Sequence, residues 1–364
     1  MHSYLPVGRG RVLINSCSDS LRGLRSRGPG ARRVERTVWR GFVPPSRTRS
    51  GDGSGVRNLF GTLAPSTAMS IGPLDEETAE KYREAGSVLR EVLDETAEMV
   101  EPGATHLEVA EHAEERIYEL ADGCAFPVNI SVDEEASHAS PARDDDTEFG
   151  EEMVCLDCGV HIDGYIADAA VTVDLSGNEE LVEAAEEALD AALDAVGPGV
   201  QTGEIGAEIE DVIRGYGYTP VLNLSGHGVE QWDAHTGPNI PNRGTERGVE
   251  LEVGDVVAIE PFATTGSGKV SEGSKEEIYS LERDRSVRDR SARQVLEQVN
   301  EEYKTLPFAS RWIDSPRSDI AIQRLKQQGV LHGYPVLKED DGELVSQAEH
   351  TVIVTEDGCE IITE

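Results

Sequence analysis

The chain carries two copies of one helix-and-turn pattern, and this internal repeat restricts the fold more than any other feature. REVLDETAEMVEPG (90–103) and EEALDAALDAVGPG (186–199) share six identities in fourteen positions without a gap. In both copies the apolar residues recur at helical spacing, and a Pro-Gly pair ends the run. A repeat of this length indicates two similar units that pack against each other.

The two copies continue in the same order beyond these helices. Each is followed by a second helix, and then by a strand-like segment, FPVNIS in the first copy and TPVLNLS in the second. Next, MVCLD corresponds to VVAIE, and DAAVTV corresponds to EHTVIV. We therefore expect an α/β (α+β) fold of two half-domains that are related by a pseudo-twofold axis, with sheets flanked by helices.

The repeat also pairs acidic residues, because Asp157 corresponds to Glu260 and Asp168 to Glu349. Four carboxylates that converge from strands of two halves would raise one another's pKa values unless cations neutralise them. An aspartic-protease dyad solves the same problem by sharing a proton, but it uses two aspartates and no histidine. The sequence therefore favours a metal centre.

His227 is the best imidazole candidate, because NLSGHG places a glycine on each side of it and permits close approach. Four carboxylates and one imidazole suit two divalent metal ions, since the charges then balance. Mixed oxygen and nitrogen ligands fit Co, Mn, Fe or Zn rather than calcium.

Two cysteines, Cys155 and Cys158, stand close to Asp157, but a lone C-x-x-C is a poor zinc site. Their counterparts in the second half are Ala258 and Pro261, so the repeat gives them no shared role. Because Cys155 shares a strand face with Asp157, one hypothesis places its thiol on the cavity wall.

The second half contains extra chain between its two acidic strands. Asp157 and Asp168 are 11 residues apart, whereas Glu260 and Glu349 are 89 apart. We predict that residues of about 265–335 form an inserted helical subdomain, and that GYPVLKEDDGELV ends it as a β-ribbon.

Charge divides the chain at about residue 69. Residues 1–68 hold 12 Arg and three acidic residues, so their net charge is +9. The whole chain has a net charge of −37, and residues 69–364 therefore carry −46. So acidic a body would repel itself in dilute buffer, which indicates a halophilic protein whose charge is screened by molar salt. It also argues against nucleic acid as a direct partner.

Residues 1–68 are Arg-, Gly- and Ser-rich and show no hydrophobic periodicity. We interpret them as a disordered or spurious N-terminal extension, with the protein itself beginning at Met69; an organelle transit peptide is the alternative. No apolar run approaches the ~20 residues of a membrane span, and the five cysteines do not suggest a disulfide framework. We expect a cytoplasmic protein.

Seven separated motifs, in order, resemble those of the archaeal type II methionine aminopeptidases. They are FPVNISVDEEASHASP, DCGVHIDGYIADAAVTV, NLSGHGVEQWDAHTGPNIPN, VVAIEPFAT, TLPFASRW, HGYPVLKE and AEHTVIV, and the resemblance covers 69–364. It implies the pita-bread fold with a winged-helix-like insert. It also implies removal of the initiator methionine from nascent proteins that have a small second residue.

The resemblance assigns a role to each candidate site residue. It implies two metal ions, one held by Asp157, both bridged by Asp168 and Glu349, and the other held by His227 and Glu260. It further implies that Glu260 takes a proton from the attacking water. The remaining residues would contact substrate: the implied set is His138, His235, Phe126 and Pro127, with Ile259 and Phe262 as further pocket candidates of which Ile259 better suits the core.

Two alternatives stay open from the sequence. One is a proline-directed peptidase of the prolidase or aminopeptidase P kind, which normally carries an extra N-terminal domain and no insert after the position of Glu260. The other is a non-catalytic, ribosome-associated binding protein of the same fold, although such relatives lose metal ligands. The expected partners are the N-termini of nascent chains and the ribosome, without direct nucleic-acid or membrane contact, for a monomeric enzyme.

Overall fold

The structure, a computed structural model, describes residues 74–364. The predictions of a disordered or spurious extension over 1–68 and of a start at Met69 lie outside the described residues.

Six α-helices lie within 74–364, and both copies of the repeated helix are among them. Asp75 caps the first, accepting a hydrogen bond from the backbone of Thr78, and Thr105 and Glu108 form the predicted capping box of the second. The helices are α1 (Glu76–Ala97), α2 (His106–Leu120), α3 (Glu179–Ala195), α4 (Thr202–Gly215), α5 (Arg290–Gln298) and α6 (Ser318–Gln327).

Three strands of the first half run for ten residues and one strand of the second half runs for nine, while the others are shorter. The strands are β1 (Gly123–Val132), β2 (Glu135–Ser137), β3 (Met153–Ile162), β4 (Tyr165–Asp174), β5 (Thr219–Pro220), β6 (Ser225–Glu230), β7 (Asp233–Pro241), β8 (Val256–Ile259), β9 (Phe262–Thr264), β10 (Ser271–Glu272), β11 (Ile278–Leu281), β12 (Phe308–Ala309), β13 (Leu331–Tyr334), β14 (Leu337–Lys338), β15 (Val345–Gln347), β16 (His350–Thr355) and β17 (Gly358–Ile361).

Each half has its own sheet and its own pair of covering helices. The first sheet has the order β1-β3-β4 and packs on α1 and α2, whose Leu89 and Ile117 are fully buried. The second has the order β17-β16-β8-β6-β7 and packs on α3 and α4, with Leu181 and Ile209 in its core. The predicted α/β fold of two half-domains is thus confirmed.

The two sheets meet where β4 passes the start of β16. Glu349 donates its backbone N–H to the carbonyl of Ala170 at 3.0 Å, and the return bond measures 3.4 Å. Next to this bridge, the hydroxyl of Thr351 accepts from the backbone N–H of Asp168 at 2.9 Å and donates to its carbonyl at 2.8 Å. Two residues that the repeat pairs, Asp168 and Glu349, are therefore fixed by the joint between the halves.

The pseudo-symmetry is approximate in its strand register. In the second half the β8–β16 register puts His350 opposite Ile259, so Glu349 follows directly opposite Glu260. In the first half Asp157 faces Ala170, two residues along β4 from Asp168. A shift of two keeps both aspartates on one face of the sheet, because side chains alternate with a period of two.

Three strand-like segments of the second half are broken in the structure, and two of the breaks fall at acidic residues of the repeat. VVAIEPFA divides into β8 and β9 at Glu260 and Pro261, and SQAEHTVIV divides into β15 and β16 at Ala348 and Glu349. The two segments keep one register across the breaks, since Gln347 faces Phe262 on one side and His350 faces Ile259 on the other. Pro261 lacks the N–H that a continuing ladder needs. The third break separates β5 from β6.

The region of the predicted insert packs around a core of its own. Strands β11, β12 and β13 form one sheet, and α5 and α6 cover it, with Phe308, Leu325 and Val295 fully buried between them. The predicted β-ribbon is wrong, because its strands do not pair with one another. β13 pairs with β11, β14 pairs with both β10 and β2, and β15 pairs with β9. Its residues link sheets instead of folding back on themselves.

Within residues 74–364 there is no helix with the length and apolar character needed to cross a bilayer.

Basic side chains are so few that single arginines serve several acids. Arg116 contacts Glu91, Glu95 and Glu119, all at the surface. The remaining acidic groups must repel one another, and salt screens that repulsion.

We therefore expect the melting temperature of the full chain to rise steeply as KCl increases from about 0.1 M to about 2 M, where the Debye length falls below ~3 Å. Differential scanning calorimetry measures it. Sucrose of matching osmolality is the control, because it does not screen charge and should give a smaller rise. A melting temperature that stays flat in KCl would contradict this expectation.

Candidate metal centre

One cavity of about 440 Å³ is lined by residues from both half-domains and from the 278–334 region. Its lining residues are Phe126, Asn129, Ser137, His138, Asp157, Asp168, His227, His235, Glu260, Ile278, Pro307, Tyr334 and Glu349. The structure thus brings together all five predicted metal ligands and the two predicted substrate histidines.

The four carboxylates reach the cavity from four different backbone positions. Asp157 lies at the middle of β3 and Asp168 on β4, while Glu260 follows β8 and Glu349 precedes β16. Asp168, Glu260 and Glu349 are almost fully buried, at 3%, 6% and 2% exposure. The two glutamates stand at the breaks between paired strands, and both line the cavity.

Neutral amides hold three of the carboxylates in place. The side-chain amide of Gln347 donates to Glu349 at 3.1 Å and lies 3.5 Å from Glu260. Asn129 donates to Asp157 at 3.4 Å. Each amide supplies a hydrogen-bond donor without adding a positive charge, so the cluster keeps its full negative charge when ionised.

One oxygen of each carboxylate has no hydrogen-bond partner although it is buried. These atoms are Asp157 Oδ1, Asp168 Oδ1, Glu260 Oε1 and Glu349 Oε1. Buried polar atoms in proteins are nearly always paired. Four acceptors that lack donors within one cavity are what a cation-binding site requires.

Burial and mutual repulsion oppose ionisation of the cluster when no cation is present. Burial raises the pKa of Asp157 to about 7. Burial, and then the negative charges of its neighbours, raises the pKa of Asp168, of Glu260 and of Glu349 well above the usual range. Divalent cations would reverse this effect by favouring the ionised forms.

His227 lies on β6 between two glycines whose missing side chains make its position possible. A Cβ on Gly226 would lie 2.4 Å from the carbonyl oxygen of Ala258, and one on Gly228 would lie 2.4 Å from that of Gly237. The strand is therefore pressed between β7 and β8. Only glycine fits beside His227, as its flanking residues suggested.

The His227 ring is oriented as a ligand. Its Nδ1 lies 3.2 Å from the backbone oxygen of Gly228, which can only accept, so Nδ1 carries the proton and Nε2 carries the lone pair. Nε2 lies 3.8 Å from Asp168 Oδ2 and 3.7 Å from Glu260 Oε1. Burial lowers the pKa of His227 to about 4, which keeps the ring neutral.

Three of the residues form a compact set of ligand atoms. One side-chain atom from each of Asp168, His227 and Glu349 lies within 4.8 Å of the other two. Oxygen and imidazole nitrogen together suit a first-row transition metal or zinc. The donor set and the unpaired oxygens thus fit a divalent cation.

Similarity to known proteins decides the family. The sequence profile of metallopeptidase family M24 matches residues 80–356. A methionine aminopeptidase of Archaeoglobus fulgidus is 53% identical over 292 residues, which are 80% of this chain and 100% of that protein. The chain belongs to metallopeptidase family M24.

Solved structures share the fold at lower identity. A thermophilic Arx1 superposes with a TM-score of 0.72 at 20% identity, over 79% of this chain and 91% of that one. A methionine aminopeptidase of Thermotoga maritima superposes with a TM-score of 0.60 at 24% identity, over 81% and 99%. The predicted resemblance and the pita-bread fold of this M24 chain are confirmed, and the family implies the use of divalent metal.

The two histidines expected to meet substrate both line the cavity. The His235 ring on β7 lies 4.5 Å from the His227 ring, centroid to centroid. His138 follows β2 with φ 64, a backbone conformation that non-glycine residues rarely adopt and that often marks a functional position. Its Nδ1 donates to the carbonyl of Pro335 at 3.3 Å, and burial lowers its pKa to about 4.

The candidates for the apolar pocket lie in different places in the fold. Phe126 lines the cavity, and its ring lies so close to Gly159 that a Cβ there would be 2.3 Å from it. The other candidates are not among the lining residues: Pro127 lies in a bulge of β1, Ile259 in the second core and Phe262 in a smaller one.

Sequence reasoning missed the residues that complete the site from outside the repeat. Ile278, Pro307 and Tyr334 form a wall that belongs to the region of the insert. Asn129 was present within the quoted motif FPVNIS, but its position opposite Asp157, directly after the bulge, could have been recognised only from the β1–β3 register.

Cys155 does not line the cavity, so the hypothesis that its thiol reaches the wall is wrong. Its Sγ lies 3.4 Å from the hydroxyl of Thr172 and 3.4 Å from the carbonyl oxygen of Val345. Burial raises the pKa of the Cys155 thiol to about 11. Cys158 is buried in the first core.

The raised pKa of Asp157 predicts how pH acts on the metal-free protein. A carboxyl whose pKa is higher in the folded state favours folding when protonated, so its contribution is lost as pH rises from about 4 to about 7. In EDTA, Asp157→Asn should therefore become progressively more stable than the unmodified chain from pH 5 to pH 8. Thermal melts at each pH measure the difference.

The matched control is Asp163→Asn, in the exposed turn of the same hairpin, where the carboxylate pairs with Lys81. The difference in stability between Asp163→Asn and the unmodified chain should not rise with pH in this way. A pH-independent difference for Asp157→Asn would show that the carboxyl ionises freely in the fold.

Proposed function

We propose that this M24 enzyme removes the N-terminal methionine from nascent proteins by metal-assisted hydrolysis, with a preference for a small second residue. The observation that carries the proposal is the set of four carboxylates and one imidazole in a single cavity. Relatives named methionine aminopeptidase support it, including one from Methanocaldococcus jannaschii that is 44% identical over 80% of this chain and 100% of its own.

We infer that the site takes two divalent ions from among Co, Mn, Fe and Zn. Five ligands and four negative charges support that number, because two dications balance the charge. Asp157 would hold one ion, Asp168 and Glu349 would contact both, and His227 and Glu260 would hold the other. Bound cations polarise a substrate carbonyl and make water a stronger nucleophile at neutral pH.

The chain's own residues handle the proton and the substrate. Glu260 is the candidate proton acceptor, since Gln347 engages Oε2 and its Oε1 is the unpaired oxygen. His235 is neutral, because burial and then the neighbouring His227 lower its pKa. A neutral imidazole can donate a hydrogen bond to the substrate carbonyl as negative charge develops there. His138 and Phe126 would contact the first residue.

We further infer that residues 69–364 are the catalytic unit and that about 265–335 is the type II insert. The separate core of the 278–334 region supports the insert. Nascent chains, ribosome association, a cytoplasmic location and a monomeric state stay predictions, as does the absence of direct contact with nucleic acid or a membrane.

The first test is substrate choice. The EDTA-treated enzyme, assayed in molar KCl with added Mn or Co, should release Met from Met-Ala-Ser. It should leave acetyl-Met-Ala-Ser, Pro-Ala-Ser and Ala-Pro intact. Amino-acid release is measured by chromatography. Cleavage of Ala-Pro in preference to Met-Ala-Ser would favour the proline-directed alternative, and no cleavage by folded, metal-loaded protein would favour the binding protein.

Glu349→Gln should reduce kcat/KM by more than about 100-fold, because it removes a charge on which the metal site depends. Glu343→Gln is the matched control, since that carboxylate bonds Thr265 and does not line the cavity. Metal stoichiometry, measured after gel filtration, should fall for Glu349→Gln alone. Equal activity of the two variants would remove Glu349 from the site.

His235→Ala should lower kcat by about 100-fold or more while KM changes little, because its bond strengthens only in the transition state. His235→Gln, which keeps an N–H donor, should recover part of the rate. Steady-state kinetics with Met-Ala-Ser measure both parameters. A rise in KM with unchanged kcat would assign His235 to ground-state binding instead.

A further inference from the structure

A bulge in β1 aims two side chains into the cavity. Between Phe126 and Asn129 the register with β3 shifts by one residue, and both of these residues line the cavity. Pro127 and Val128 are the residues in between. Pro127 has no N–H, and Val128 has left the ladder, so the backbone of Val128 needs other partners.

Val128 finds those partners on two other segments. Its N–H donates to Glu114 Oε1 on α2 at 3.3 Å. Its carbonyl accepts from the hydroxyl of Ser140 at 2.8 Å. Ser140 lies two residues after His138, so the same short stretch serves both the bulge and the wall of the cavity.

Both partners of Val128 converge on one guanidinium. Arg311 Nη2 donates to Glu114 Oε1, and Nη1 donates to the hydroxyl of Ser140 at 2.8 Å and to the carbonyl of Pro141 at 2.9 Å. The adjacent Trp312 donates its indole N–H to Glu114 Oε2 at 2.8 Å. Arg311 and Glu114 are 8% and 6% exposed.

Arg311 belongs to the region that forms the opposite wall. It follows β12, and Pro307 immediately precedes that strand. β12 pairs with β11, which carries Ile278, and β11 pairs with β13, which carries Tyr334. One side chain therefore connects the bulge behind Phe126 to the sheet that bears the facing residues.

Stability alone is a weak explanation for this pair. Burying two charges costs free energy that their attraction barely recovers, and apolar replacements often serve equally well. What an arginine adds is a planar fork whose donors have fixed directions. Here the fork spans a carboxylate, a hydroxyl and a carbonyl from two segments.

We propose that Arg311, acting through Glu114 and Ser140, is a positioning residue that sets the distance between the Phe126 side of the cavity and the wall of Ile278, Pro307 and Tyr334. The Arg311–Glu114 pair thereby determines which N-terminal side chain of a substrate fits the cavity. This inference rests on the proposed aminopeptidase function.

The test compares Arg311→Lys with the unmodified enzyme on Met-Ala-Ser and Leu-Ala-Ser. Lysine keeps the charge but cannot reach Glu114 and Ser140 together. We expect the Met/Leu ratio of kcat/KM to fall by about tenfold, because a displaced wall no longer fits the unbranched methionine side chain better than branched leucine, and small differences in fit to an apolar pocket change kcat/KM by about 10- to 200-fold. KM for the Met peptide should rise more than kcat falls, and Mn stoichiometry should not change.

Arg324→Lys is the matched control, since this arginine also lies in the 278–334 region and pairs with Asp289 in an exposed position. The Met/Leu ratio of kcat/KM for Arg324→Lys should match that of the unmodified enzyme. A uniform loss of activity in Arg311→Lys at an unchanged Met/Leu ratio overturns the proposal and leaves the pair a purely structural role.

Two further measurements keep the test decisive. If Arg311→Lys does not fold, Ser140→Ala removes one arm of the fork and must show the same direction of change in the ratio. Thermal shifts with free L-methionine and L-leucine report the pocket without turnover. If the unmodified enzyme binds methionine selectively yet cleaves no peptide, the proposed function fails, whereas loss of that selectivity in Arg311→Lys still supports the positioning role.

Discussion

Repulsion among four buried carboxylates is the interaction on which the rest of the structure depends. Asp157 and Asp168 come from one half-domain, and Glu260 and Glu349 from the other. Neither half could bury all four, and the Ala170–Glu349 bridge is the point at which the backbones bring them together. The amide groups beside them orient the oxygens without neutralising them, so the charge is left for cations.

The sequence predicted the features that repeat. Matching strands in the two halves identified both acidic pairs and the α/β architecture, because the two copies of an internal repeat can be aligned within a single sequence. His227 was identifiable from its two glycines, and these are now explained by carbonyl oxygens 2.4 Å from where a Cβ would stand. The capping box at Thr105 and Glu108 was equally local, and it formed as expected.

What could not be predicted depends on contacts distant in sequence. The strand breaks at Glu260 and at Glu349 interrupt two segments that keep one pairing register, and hydrophobic periodicity does not reveal them. Pro127 was a pocket candidate beside Phe126, but it lies in a one-residue bulge and is not among the residues that line the cavity. Cys155 shares a face with Asp157, yet Val345 and Thr172 cover its thiol.

The separate core under the Ile278, Pro307 and Tyr334 wall has a consequence for how such an enzyme can diversify. The ligands of the metal centre come from the two half-domains, whereas this wall of the cavity rests on a third hydrophobic core. Substitutions that reshape one surface need not disturb the other. Catalysis and substrate recognition are thereby separable traits in one polypeptide. Selection can change the substrate preference of such an enzyme without changing its metal centre.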